Sequence, residues 1–174
     1  MKTTIYLDVD GVLNAVSKRT PSLKISGWDN WESKPVNGWP ILFSPDMVAA
    51  LNELAEDPDV TFKWLTTWED DAAKVMSPAI GINGQDWEVL HGDQHAWGGK
   101  RGWWKLEAIR DDALVDGGRF VWIDDDISAE REAIAWVQGR DDVLAISPST
   151  MQGLTRDDLA SIKSFAGVGA EVTA

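Results

Sequence analysis

The chain contains no cysteine, one tyrosine and two histidines in 174 residues. Absence of cysteine excludes disulfides and thiolate–metal sites, and fits a reducing, cytoplasmic setting. No apolar run approaches the ~18 residues that span a bilayer. The opening "MKTTIYLDVD" enters a strand directly, with no signal-peptide core. Positive charge is scarce: 16 Lys and Arg stand against 29 Asp and Glu, for a net charge of -13. Broad binding to duplex DNA needs a basic face, which this balance does not supply. The scarcity is uneven. Residues 11–45 carry Lys18, Arg19, Lys24 and Lys34 against Asp29 and Glu32, a local balance of +2, so the remainder carries -15.

The length suits one domain with a proper core, expected over residues 1–167 with a frayed tail at 168–174. Five short apolar runs read as strands, at 3–9, 60–66, 87–90, 119–124 and 142–146. Most are apolar on both faces, as strands of a covered parallel sheet are. Helical patterns alternate with them at 44–57, 68–76, 102–115, 128–139 and 155–167. Ser44 and Pro45 open the first of these as N-cap and first helical residue; Thr155 and Gly167 bracket the last. This alternation predicts an α/β fold, a Rossmann-like parallel sheet of about five strands flanked by helices. A weakly periodic segment, 14–43, separates the first strand from the first helix. Connections of this length are usually functional. Its Gly, Asn and Pro punctuation suits a small hairpin over the site, a lid in place of a large cap domain. Trp28, Trp31 and Trp39, of 11 tryptophans in all, crowd this segment. They either pack the lid or offer a stacking surface for a base or sugar.

In an open α/β sheet, ligands bind at the carboxyl ends of the strands. There the sequence places a consistent chemistry. The first strand, "IYLDVDGVLN", ends in Asp8 and Asp10, two apart and so starting on one face. The second ends in Thr66 and Thr67, and the fourth, "VWIDDD", in Asp124, Asp125 and Asp126. Lys105 lies in the first turn of a helix that begins at this same edge, with Lys100 and Arg101 just before it. Unpaired acids so placed repel one another in a partly desolvated site. A hard divalent cation removes that conflict, and ligands of oxygen alone suit Mg²⁺. A hydroxyl and an ammonium beside the cation suit phosphoryl transfer. Thr66 and Thr67 compete for the hydroxyl role, and Lys105 and Lys100 for the ammonium. Gly11, Thr67 and Lys100 are the expected substrate contacts. His91 and His95 have i, i+4 spacing, but Gly92 between them argues against a helix, so their loop reads as a substrate contact and not a zinc site.

These residues resemble the haloacid dehalogenase (HAD) superfamily over nearly the whole chain. "DVDGV" matches its nucleophile motif DxDx[TV]. "FKWLTTW" is similar to its second motif, "WWKLEAI" to its lysine motif and "VWIDDD" to its acidic motif. The similarity is closest to small phosphatase-like proteins of phages and actinobacteria, related to the HAD domain of Swiss Army Knife RNA-repair proteins. Those also share the "WIDD" strand and a final "GLTRDDL".

The resemblance implies a Mg²⁺-dependent phosphatase. Asp8 would be the nucleophile, forming an aspartyl-phosphate. Asp10 would be general acid and then general base. Asp8, the Asp10 carbonyl and Asp124 or Asp125 would hold the metal. Thr66 would contact the phosphoryl group, and Lys105 would neutralise charge on it and on Asp8. Val12 stands where many of these phosphatases carry Thr. The implied substrate is a phosphorylated small molecule or a nucleic acid end. Two other readings use the same residue types. A receiver domain needs its phosphorylated Asp on the third strand, which here ends "VLH". A catalytically silent HAD-fold binding module would not need the intact Asp8 and Asp10 pair. Oligomeric state leaves no mark in the sequence.

Overall fold

Threonine, isoleucine and tyrosine, all good strand formers, make up most of β1 (Thr3–Leu7), the central strand of the sheet. The computed structural model describes residues 2–18, 20–92 and 102–169. After β1 come α1 (Thr20–Ile25), β2 (Glu32–Val36), β3 (Trp39–Phe43), α2 (Pro45–Ala55), β4 (Val60–Trp64), α3 (Ser77–Ile80) and β5 (Glu88–Val89). The second half runs α4 (Trp104–Asp116), β6 (Arg119–Ile123), α5 (Arg131–Val137), β7 (Val143–Ile146) and α6 (Arg156–Ala166). Five strands form one parallel sheet in the order β5-β4-β1-β6-β7. This is the α/β Rossmann-like architecture expected. The chain winds outward from β1 through β4 and β5, then returns to the other side for β6 and β7. The order therefore reverses beside β1, where such sheets bind ligands.

Alternate residues of the central strands serve two cores, because successive side chains leave a strand on opposite faces. Ile5, Leu7, Val121 and Ile123 join α2 and α6 on one face through Leu51, Leu54, Leu159 and Ile162. Tyr6, Phe120 and Trp122 join α4 and α5 on the other through Leu106, Ile109 and Ala133. Burial on both faces is why these strands read as continuous apolar runs. The helix ends follow local rules. The Ser44 hydroxyl accepts from the Met47 amide and Pro45 opens α2. Thr155 and Asp158 form a reciprocal capping box at α6.

Two expectations differ in detail, and a third lies largely outside the described residues. The helix expected at 68–76 forms as a wide π-type turn, Ala72–Met76, running into α3. Pro78 has no amide hydrogen, and both the amide and the hydroxyl of Ser77 turn back to the Ala72 carbonyl. The helix expected from 128 begins at Arg131, after a 3₁₀ turn at Asp125–Ala129. Of the expected tail, only Val168 and Gly169 fall within the described residues.

Segment 14–43 supplies α1 and an antiparallel β2–β3 hairpin. Its two-residue turn is Asn37-Gly38, both at positive φ. That mirror-image turn matches the strand twist, and Asn-Gly is its preferred sequence. Val36, Ile41 and Phe43 pack the hairpin onto the α2 side of the core. Among the described residues no helix is long and apolar enough to cross a membrane.

Candidate active site

β1 and β6 are neighbours in parallel register, with Leu7 opposite Ile123. Asp8 and Asp124, the next residues of each strand, therefore stand side by side at the carboxyl edge. The Asp8 amide continues the ladder by donating to the Ile123 carbonyl at 3.1 Å. Beyond Asp8 the chain turns sharply. The amides of Val12, Leu13 and Asn14 all donate to the Val9 carbonyl. This turn separates the two aspartates that a continuing strand would have left on one face.

Asp8 points inward. Its Oδ1 accepts from the Val9 amide at 2.8 Å, and its Oδ2 accepts from Lys105 Nζ at 2.8 Å. The same ammonium donates to Asp124 Oδ2 at 2.6 Å. Lys105 sits in the first turn of α4, its charge buried between β1 and β6. The Thr66 hydroxyl, also buried, hydrogen-bonds Asp8 and accepts from the Trp68 amide at 3.3 Å. Asp124 completes its own bonding by accepting the Asp126 amide on Oδ1 at 3.0 Å. Burial raises both acids. Asp8 is raised by desolvation, which Lys105 only partly offsets. Asp124 is pushed up to about 7 by desolvation and then by the Asp8 charge. Burial by itself would lower the Lys105 ammonium, but Asp8 and Asp124 outweigh it and the group is raised.

Asp125 joins this cluster from the other side. Carboxylate oxygens of Asp8, Asp124 and Asp125 all lie within 4.8 Å of one another. Three carboxylates face one ammonium, an excess of negative charge that a divalent cation would balance. Oxygen-only donors suit a hard ion. The residues present thus fit a metal of the expected kind. Gly11 makes the approach of Asp125 sterically feasible. It has φ +71, and a Cβ there would lie 2.2 Å from the Asp125 carboxylate. Asp126 is exposed and outside the cluster.

Asp10 faces elsewhere. Its Oδ1 accepts from Asn14 Nδ2 at 2.7 Å and its Oδ2 from the Trp68 indole N–H at 2.9 Å. Asn14 in turn accepts the Leu42 amide at 2.9 Å, tying this carboxylate to β3 of the hairpin. Asp10 lines a cleft of about 550 Å³ between the hairpin and residues 67–71. Thr67 is exposed on this cleft, whereas Thr66 is buried beside Asp8. The three tryptophans of segment 14–43 divide. Trp28 is buried, donating its indole N–H to the Leu154 carbonyl at 2.7 Å. Trp31 is half-buried against the core. Trp39 is 67% exposed and lines the cleft. His91 pairs with Asp70 at 2.9 Å. Lys100, Arg101, His95 and Arg19 lie outside the described residues.

Four contacts of the acids escaped the sequence reading. Asn14 and Trp68 hold Asp10 through tertiary geometry that no spacing announces. Thr150 donates its hydroxyl to Asp125. Ser147 donates to the Asp125 carbonyl at 2.9 Å. Both residues follow β7, so reading the end of that strand as the other ends were read would have found them.

No curated protein and no solved structure matches the chain. A family model described as the HAD domain in Swiss Army Knife RNA repair proteins matches residues 4–159. That span runs from β1 into α6 and includes Asp8, Asp10, Thr66, Lys105, Asp124 and Asp125. The chain therefore belongs to this family of HAD domains.

Proposed function

We propose that the protein is a Mg²⁺-dependent phosphatase acting on a phosphomonoester through an aspartyl-phosphate on Asp8. The observation that carries this reading is the division of labour between the two aspartates. Asp8 lies against Lys105 and the acidic cluster, while Asp10 stands outside that cluster and lines the cleft. An Asp8 oxygen attacks phosphorus and the bond to the leaving oxygen breaks. Asp10 gives that oxygen its proton. Asp10 then takes a proton from water as the water attacks the aspartyl-phosphate. Inorganic phosphate departs and the Asp8 carboxylate is restored. Lys105 and the Thr66 hydroxyl stabilise charge on Asp8 and the transferring oxygens. Asp8, Asp124 and Asp125, with the Asp10 carbonyl, would hold Mg²⁺, which when bound offsets phosphoryl charge. Lys100 and Thr67 remain candidate contacts to the rest of the substrate, and Gly11 shapes the loop beneath it. The RNA-repair context of the family favours a nucleotide or nucleic acid end as substrate.

Hydrolysis of p-nitrophenyl phosphate tests the chemistry. Turnover should vanish in EDTA, return with Mg²⁺ and be essentially absent in Asp8→Asn. Full activity in metal-free protein, or wild-type rates in Asp8→Asn, would overturn this mechanism.

A further inference from the structure

We propose that the cleft beside Asp10 is a nucleobase subsite, with Trp39 as its stacking wall. This rests on the phosphatase reading above and assigns the leaving-group side of that site. Asp10 is the group that would protonate the leaving oxygen, and Asp10 lines the cleft. Whatever carries the phosphate must therefore extend into it. Its volume of about 550 Å³ falls within the range of small-molecule sites.

The lining restricts what fits. Among the described residues it includes two acids, Asp10 and Asp71, and no Lys or Arg. A second phosphate would be repelled, so the cleft suits an uncharged group and not a run of nucleic acid backbone. Val16, Trp39 and Pro40 offer apolar surface. Most polar groups there already have partners. Both Asn14 side-chain atoms, the Trp68 N–H and the Asn37 amide nitrogen are committed within the protein. A sugar ring, with hydroxyls all round, would find few free partners. A flat base needs partners only along one edge, which Thr67 and the Asn37 carbonyl can supply. The wall is also held in place. Asn37 donates across the cleft to Asp71 at 2.9 Å. Holding the hairpin lowers the backbone ordering cost of presenting Trp39 on binding.

The test compares wild type, Trp39→Ala and Trp39→Phe with Mg²⁺. Substrates are adenosine 3′- and 5′-monophosphate, glucose 6-phosphate, phosphotyrosine and β-glycerophosphate. The quantity read is kcat/KM for each substrate relative to β-glycerophosphate. Wild type should prefer one adenosine monophosphate. Trp39→Ala should cut that preference about tenfold or more, mainly through KM, the scale expected for lost base stacking. Trp39→Phe should recover most of it. An equal loss on β-glycerophosphate, or a wild-type preference for phosphotyrosine or glucose 6-phosphate, overturns the subsite. Calorimetric titration with adenosine separates this from failure of the chemistry. If no substrate is hydrolysed, the phosphatase reading falls, yet adenosine binding weakened by Trp39→Ala still supports the subsite. Equal adenosine binding by both proteins, or none by either, overturns it.

Discussion

Asp8 and Asp10 share a residue type and a five-letter motif, yet their surroundings differ in every respect. One is buried against an ammonium; the other is held by two neutral N–H donors at the edge of a cleft. On the proposed reading, Asp10→Asn slows hydrolysis of alkyl phosphates by about 10²–10⁴-fold. The loss is smaller for p-nitrophenyl phosphate, whose leaving group needs little protonation. A series of leaving groups of graded acidity measures this, and an equal loss across the series would exclude Asp10 as the acid. At this scale the sequence was informative at the ends of β1, β4 and β6. Asp8, Thr66, Lys105, Asp124 and Asp125 all come together as strand ends and one helix start require. It was silent where a partner arrives from a distant turn. Trp68 reaches Asp10 across 58 positions of sequence, and nothing in the local pattern of either residue announces the other.

The β2–β3 hairpin shows the same division between elements. Its turn was legible, because Asn-Gly suits a two-residue loop. Which of its faces would be buried was not. Trp28, Trp31 and Trp39 look equivalent as sequence, and only packing sends the first into the core and leaves the last exposed. Trp28→Ala should cost about 3–5 kcal/mol of stability, the usual range for a buried aromatic. A urea melt checks it, and a loss under about 1 kcal/mol would mean that α1 and its loop do not depend on this anchor. The lid cations invite the opposite expectation. Lys34 is turned to Glu32 and the Ala79 carbonyl, and no described cation lines the cleft. Lys34→Ala should therefore leave substrate KM within about twofold, since exposed pairs of this kind contribute little. A large rise in KM would restore an electrostatic role to the lid.

For the whole molecule, the buried acids couple stability to pH. Asp8 and Asp124 are raised above their ordinary carboxylate values, Asp124 to about 7. Between the unfolded value near 4 and these folded values, the native state binds more protons than the unfolded chain. Metal-free stability should therefore fall as pH rises through that window. A divalent cation bound by the ionised cluster reverses the penalty and stabilises the native state by mass action. Mg²⁺ should raise the melting temperature more at pH 8 than at pH 5, read by thermal melts with EDTA as reference. An equal shift at both pH values would place the ion away from these acids. The five strands and the two buried faces of the sheet were legible as apolar runs, and their order was not. The proton balance was not, because it depends on how deeply three separate segments bury one another.

The pairing of Leu7 with Ile123 has a geometric consequence. The distance from Asp8 to Asp124 is set by the spacing of two hydrogen-bonded strands, about 4.8 Å. The sheet is thus a ruler for the site, and its graduation is made of backbone. Core side chains above and below can change without moving the two carboxylates, provided the register holds. Lengthening one arm of the gauge is a different matter. Asp124→Glu adds a methylene at a position with no exposed surface, where overpacking commonly costs about 1–3 kcal/mol. The longer carboxylate cannot keep both Lys105 and the Asp126 amide at their present distances. A lineage of such domains could therefore exchange most of its interior while the interval between these two acids stayed fixed.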